Sequence, residues 1–267
     1  MVPVVSARGF EAVAVPPHGR PPERRPLLEP DVERELRDLR ERFAAAPAHE
    51  RTEALLPLLH DWRPDVVVHD EADFGSPFPP SFRDPSAAAP ALSIRLGDAP
   101  LASGDTVYAT LGTVFNLESG DLFERLLDGL RGRRAIVTVG SAIDPAELGP
   151  APPSVRVERF VDQALVLPDC CAVVSHGGSG SLLGALAHGL PSVLLAMGAD
   201  QLHNAARAEE LGVAVSLHPV RATPADIAAA LDRVLSDPAY RAAAVRLHEE
   251  IAALPGPEGA VEFLQSL

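Results

Sequence analysis

From Thr106 to Ser216 the chain alternates short apolar runs with helical stretches, and the turns between them are short. Parallel strands cannot be joined by a tight hairpin and need a crossover, so this alternation dictates a parallel sheet with helices on both faces. Strands are expected at Thr106–Leu111, Ala135–Val139, Val155–Phe160, Ala172–Ser175, Ser192–Leu195 and Val213–Ser216. Helices are expected at Ser119–Leu130, Gln163–Leu167, Ser179–His188, Asp200–Leu211, Pro224–Ser236 and Pro238–Leu254, with Gly189, Pro191 and Gly212 as stops. The fold class read from this is α/β, a complete doubly wound domain whose ligands lie outside the carboxyl ends of its strands.

The first hundred residues are organised differently. A strand is expected at Glu11–Val15, helices at Asp31–Ala45 and Glu50–Trp62, and a buried strand at Asp65–His69 that ends in Asp70 and Glu71. A proline-rich stretch from Ser76 to Pro100 has no hydrophobic period and reads as a connection. The division expected is therefore 1–80, a linker over 81–104, and a ligand-binding domain over 105–267.

Charge narrows the partners. The net charge is −14 and all 23 basic residues are arginine. Nucleic acid and anionic membrane surfaces both need a cationic face, so neither is expected as a partner. No apolar run reaches the ~20 residues of a membrane helix, and Met1–Gly9 has no signal-peptide pattern. Cys170 and Cys171 are adjacent, a spacing unsuited to a loop-closing disulfide, and a cytoplasmic location is expected.

Three turns carry the chemistry. His176-Gly177-Gly178-Ser179-Gly180-Ser181 follows one strand and opens a helix, so bare backbone and free N–H groups meet where a diphosphate would sit. A glycine-rich strand–helix turn alone is weak evidence, since geometry by itself also selects glycine. Asp200 and Gln201 open the next helix, with Asn204 on the same end, and offer acceptors and donors suited to sugar hydroxyls. Standing alone, Asp200 would read as an N-cap. Gly112 and Thr113 close the first strand of the domain and could face the same phosphates from the other side. Phe160 offers a flat face for a nucleobase, although a core position is the commoner fate of such a residue.

In order and spacing, four motifs resemble the donor domain of GT-B glycosyltransferases of the UDP-glycosyltransferase superfamily. They are Phe160-Val-Asp-Gln163, His176 to Ser181, Gly189-Leu-Pro191 and Asp200 to Ala205. The closest branch looks like the bacterial enzymes that glycosylate macrolides and enediynes. The resemblance runs from about Gly104 to the C-terminus. It implies that Gly112, Thr113, His176, Gly177, Gly178, Ser179, Gly180 and Ser181 hold the donor diphosphate. It further implies Phe160 and Gln163 at the base, and Asp200 and Gln201 at the sugar. Two departures bear on the base: the family usually has Trp where Phe160 stands and Pro where Asp162 stands.

The reaction so implied is inverting transfer of a hexosyl group from a nucleoside diphosphate sugar to a hydroxyl of a small hydrophobic natural product. Helix N-termini and polar side chains would stabilise the leaving diphosphate. No bound cofactor is implied, the nucleotide sugar being a co-substrate, and no metal-ligand spacing stands out. The acceptor half is harder to find. The family's general base is usually a His in a Gly-His-x-x-Pro turn, and no such turn occurs here. Only Asp61–Asp70 resembles a part of the family's first domain, which leaves His69 and Asp70 as weak catalytic candidates. A shortened first domain makes a homodimer or a completing partner protein an expectation. It also makes a catalytically impaired or noncatalytic nucleotide-sugar-binding protein the alternative reading.

Overall fold

The computed structural model describes residues 5–12, 25–38, 46–65, 79–83, 93–95, 97–113 and 115–266. Two compact units divide them. The first holds residues 5–12, 33–38 and 46–65; the second holds 25–32 and everything described from 79 onward. The first unit contains helices α1 (Val32–Asp38, its first residue shared with the second unit) and α2 (Ala46–Trp62). Of the strand expected at Asp65–His69, residues 66–69 lie outside the described residues, and so do the catalytic candidates His69 and Asp70.

The second unit is built on one parallel sheet. Its strands are β1 (Thr106–Thr110), β2 (Ala135–Thr138), β3 (Val155–Glu158), β4 (Cys170–Ser175), β5 (Ser192–Leu194) and β6 (Ala214–Ser216). They lie in the order β3-β2-β1-β4-β5-β6, every pair parallel. Helices α3 (Leu122–Gly129), α4 (Gln163–Val166), α5 (Ser179–Ala187), α6 (Gln201–Glu210), α7 (Pro224–Ser236), α8 (Pro238–Ala252) and α9 (Pro257–Gln265) complete the domain. All six expected strands form, most of them a residue or two from the expected limits. The domain ends, as expected, in C-terminal helices, of which α9 is the last.

The central strands are apolar on both faces because helices cover both. Alternation along β1 sorts its side chains: Val107 and Ala109 pack with Leu122, Leu126, Ile227 and Leu231 of α3 and α7. Tyr108 points the other way, into a cluster with Leu167, Val173 and Leu190. A third cluster joins Leu182 and Leu186 of α5 to Ala205, Ala208, Leu247 and Ile251. Local chemistry fixes the helix ends. Thr223 and Asp226 form a reciprocal capping box around the start of α7, with Pro224 as its first residue, and Asp237 caps α8 by accepting from Ala239 N–H. Among the described residues no helix is long and apolar enough to cross a membrane.

The proline-rich stretch carries an anchor. Phe82 is 4% exposed and sits in the cluster of α5, α6 and α8. Arg207 donates to the carbonyls of Ser81 at 2.7 Å and Phe82 at 3.2 Å, while Glu250 accepts from the Ser81 N–H at 2.9 Å. Further along, Ala102 N–H donates to the His188 carbonyl at 3.0 Å. Arg207→Ala strips both carbonyls of their charged donor and is expected to lower unfolding stability by about 1–2 kcal/mol. Urea melts are the check, and an unchanged midpoint would mean that Phe82 alone holds the segment.

Candidate donor site at the sheet switch point

In the order 3-2-1-4-5-6 the chain reverses direction of growth between β1 and β4, and the helices after these strands leave on opposite faces. A crevice opens there, at the carboxyl ends of the two strands. The turn after β1 brings Gly112 and Thr113 to one side. The turn after β4 brings His176 to Ser179 to the other.

His176 is the centre of contact. It is 8% exposed, and its ring lies between two glycines. A methyl at Gly112 would fall 2.6 Å from its Cε1 and Nε2, and one at Gly178 would fall 2.4 Å from its Nε2. Gly112 has φ +75° and Gly177 has φ +80°, which an L side chain rarely adopts. Burial lowers the His176 pKa from 6.5 to about 4, with the Asp200 carboxylate opposing the shift. The ring is therefore neutral at pH 7 and carries one N–H donor. Its Nδ1 is buried without a hydrogen-bond partner. An orphaned polar atom at such a place calls for an explanation, and a bound anion or water supplies one.

Asp200 has a role that its position in the sequence conceals. It stands at the N-cap of α6 in helical geometry, and its side chain caps none of that helix's backbone N–H groups. Its Oδ2 instead reaches the start of α5, accepting from Ser179 N–H at 3.2 Å and from Ser179 Oγ at 2.6 Å. The same oxygen accepts from Asn204 Nδ2 at 2.9 Å, and that amide also donates to the Gly177 carbonyl at 3.0 Å. One carboxylate thus ties two successive βα turns together. Gly180 is exposed and Ser181 is buried in the first turn of α5.

Gln201 is 1% exposed, and its Oε1 accepts from the N–H groups of Met197 at 2.8 Å and Gly198 at 3.3 Å. It holds the turn after β5, in which Ala199 adopts φ +51°. Gln163 opens α4, and its Nε2 donates to the Tyr108 hydroxyl at 3.4 Å, which is itself 2.8 Å from Thr138 Oγ1. Asp162, where Pro is usual, caps α4 by accepting from Ala164 N–H at 3.0 Å. Phe160 is 75% exposed, so the core position is overturned. It lies beyond the end of β3, an edge strand, where no helix covers it among the described residues. Leu165 nearby is 76% exposed.

Asn116 was not singled out from the sequence. It is 1% exposed, and its Nδ2 donates to the Val139 carbonyl at 2.7 Å while its Oδ1 has no hydrogen-bond partner. A methyl at Gly140 would fall 2.2 Å from that Nδ2 and 3.7 Å from the Gly112 carbonyl. Asn116 therefore braces the ends of β1 and β2 under the Gly112 turn. The available signal was an Asn three residues past Thr113, inside an otherwise apolar stretch.

Residues 130–267 match the family model described as erythromycin biosynthesis protein CIII-like, C-terminal domain. The 4'-demethylrebeccamycin synthase of Lentzea aerocolonigenes is 36% identical over 196 residues, 73% of this chain and 44% of that protein. The 3-alpha-mycarosylerythronolide B desosaminyl transferase of Saccharopolyspora erythraea is 39% identical over 116 residues, 43% of this chain and 28% of that one. The chain thus spans less than half the length of these curated relatives. Among solved structures, the glycosyltransferase VinC in complex with dTDP superposes with TM-score 0.57 at 29% identity, covering 70% of this chain and 50% of its own. The architecture is that of GT-B glycosyltransferases.

Proposed function

The chain belongs to the family of erythromycin biosynthesis protein CIII-like C-terminal domains, and from that premise we propose that it holds a nucleoside diphosphate sugar for transfer to a small hydrophobic natural product. The observation that carries this reading is the buried His176, ring-packed between Gly112 and Gly178, with an unpartnered Nδ1 at the switch point. A neutral imidazole edge and the amides that begin α5 form a donor set for diphosphate oxygens. The first N–H groups of a helix have no intrahelical acceptor; Asp200 already takes that of Ser179, and an anion here would be met by those of Gly180 and Ser181.

In this reading Gly112, Thr113, Gly177, Gly178, Ser179, Gly180 and Ser181 surround the diphosphate with His176. Phe160 stacks on the base, beside Gln163. Because VinC is named in complex with dTDP, thymine is the base we favour. Asp200 takes the sugar hydroxyls, and Gln201 supports it by holding the turn that presents it. The leaving diphosphate gains charge as the anomeric bond breaks, and the start of α5 stabilises that charge. Attack by an acceptor hydroxyl from the opposite face of the sugar would invert its configuration. The relative named for moving a desosaminyl group to a mycarosylerythronolide favours a hexosyl donor and a macrolide-like acceptor.

The test is calorimetric titration of the full chain with dTDP, UDP and dTDP-glucose. Saturable binding is expected, and its absence with a folded sample would overturn the reading. Phe160→Ala removes a stacking face that is 75% exposed. It should weaken dTDP about tenfold, by the ~1–3 kcal/mol that base–aromatic stacking contributes, and leave the melting temperature in place. Equal affinity would move the base elsewhere. A binding protein without turnover is the second reading, favoured by the absence of a Gly-His-x-x-Pro turn in this sequence. Donor hydrolysis on the same sample separates the two.

A further inference from the structure

The Asp200 carboxylate occupies the one place that a diphosphate most needs. Ser179 N–H is the first amide of α5, and Asp200 Oδ2 already accepts from it and from Ser179 Oγ. Asn204 holds the same oxygen, so the carboxylate is fixed against the helix start on three donors. A helix N-terminus favours one negative charge, and here the protein has supplied its own. We infer that Asp200 is a built-in counter-anion that sets the crevice against the free nucleoside diphosphate and in favour of its sugar ester.

The inference rests on the nucleotide-sugar reading of this crevice. Its chemistry lies in the difference between the two ligands. In the ester, the outer phosphate has one ionisable oxygen fewer, since the sugar occupies that position, and it carries a single negative charge. In the free diphosphate the outer phosphate has a second ionisation near pH ~6 and carries almost two charges at pH 8. That extra charge must sit beside Ser179 and therefore beside Asp200. The ester brings instead a set of hydroxyls that can donate to the carboxylate. Like charges a few ångströms apart in a half-open crevice repel enough to change affinity by about tenfold or more, even with solvent screening. Loss of the sugar would convert a ligand that Asp200 tolerates into one that it repels, which favours release of the spent nucleotide.

A residue that only bound sugar would behave otherwise. Its loss would weaken the ester and leave the free diphosphate untouched. Asp200→Asn keeps oxygen and shape while removing the charge, and Asp200→Ser keeps a short acceptor should the amide disturb Asn204. The measurement is calorimetric affinity at pH 8 for dTDP and dTDP-glucose, on the wild-type chain and on both variants, with thermal melts to confirm folding. The expected result is dTDP binding tightened about tenfold in whichever variants fold, with dTDP-glucose weakened by loss of the carboxylate that accepts from its hydroxyls. Unchanged or weakened dTDP in folded variants, with wild-type binding intact, overturns the counter-anion role alone. If the folded wild-type chain binds neither ligand, the nucleotide-sugar reading falls and this inference with it.

Discussion

His176→Ala is expected to weaken dTDP and dTDP-glucose by the same factor, between about 10- and 100-fold. A hydrogen bond from a buried donor to a charged oxygen contributes about 1.5–3 kcal/mol, and the diphosphate is common to both ligands. Equal loss is the signature of a phosphate contact; loss confined to the ester would move His176 to the sugar. The same variant should change the response to acid. With its pKa lowered from 6.5 to about 4, folded His176 stays neutral where the unfolded chain takes up a proton. Protons then bind more to the unfolded state, so stability falls as pH drops from 6.5 through about 4. The full span corresponds to about 3 kcal/mol, and it should be missing from His176→Ala. Chemical melts at pH 7 and pH 4.5 for the two proteins read this directly, and parallel losses would sink the assignment. The cavity left by the ring costs stability at both values, while removing an unpartnered Nδ1 offsets part of that cost.

The frame of this domain was legible because its physics is local. A strand covered on both faces reads as an apolar run, and the glycines at 112, 177, 189 and 212 mark turns that need positive φ. Strand order is not local, and what depends on it was hidden. Phe160 reads from the sequence as a base-stacking face with a core position as the alternative, and only the sheet order, which makes β3 an edge strand, decides against the core. Phe82 looked like linker because one aromatic among prolines has no period, and its partners lie more than a hundred residues away. Asp200 could be read as a cap, but the helix it caps is α5 rather than its own, a relation created only when β4 and β5 pair. Asn116 escaped notice for the same reason: its brace joins two strand ends that meet in space. The motifs thus announced which residues gather at the crevice. Their hydrogen-bonding assignments required the sheet.

Gly112→Ala should be the most damaging single-methyl change at the crevice. Its φ of +75° already costs an L residue about 1–2 kcal/mol, and the new methyl would lie 2.6 Å from two atoms of the His176 ring. The ring cannot retreat toward Gly178, where it is just as closely seated, so it must turn or push the β1 turn outward. A stability loss of about 2–4 kcal/mol is expected, together with at least tenfold weaker dTDP binding. Adding His176→Ala to this variant separates the two causes. Removing the ring abolishes the collision but leaves the backbone strain, so the double variant should be less destabilised than the two single losses added together. A coupling of about 1–2 kcal/mol is the expected size, and it requires Gly112 and His176 to touch as they do here. Additive losses would mean that the cost at Gly112 is backbone strain alone. The small residue would then serve the turn and not the histidine, and the packing argument for a ring held in place to meet the diphosphate would fail.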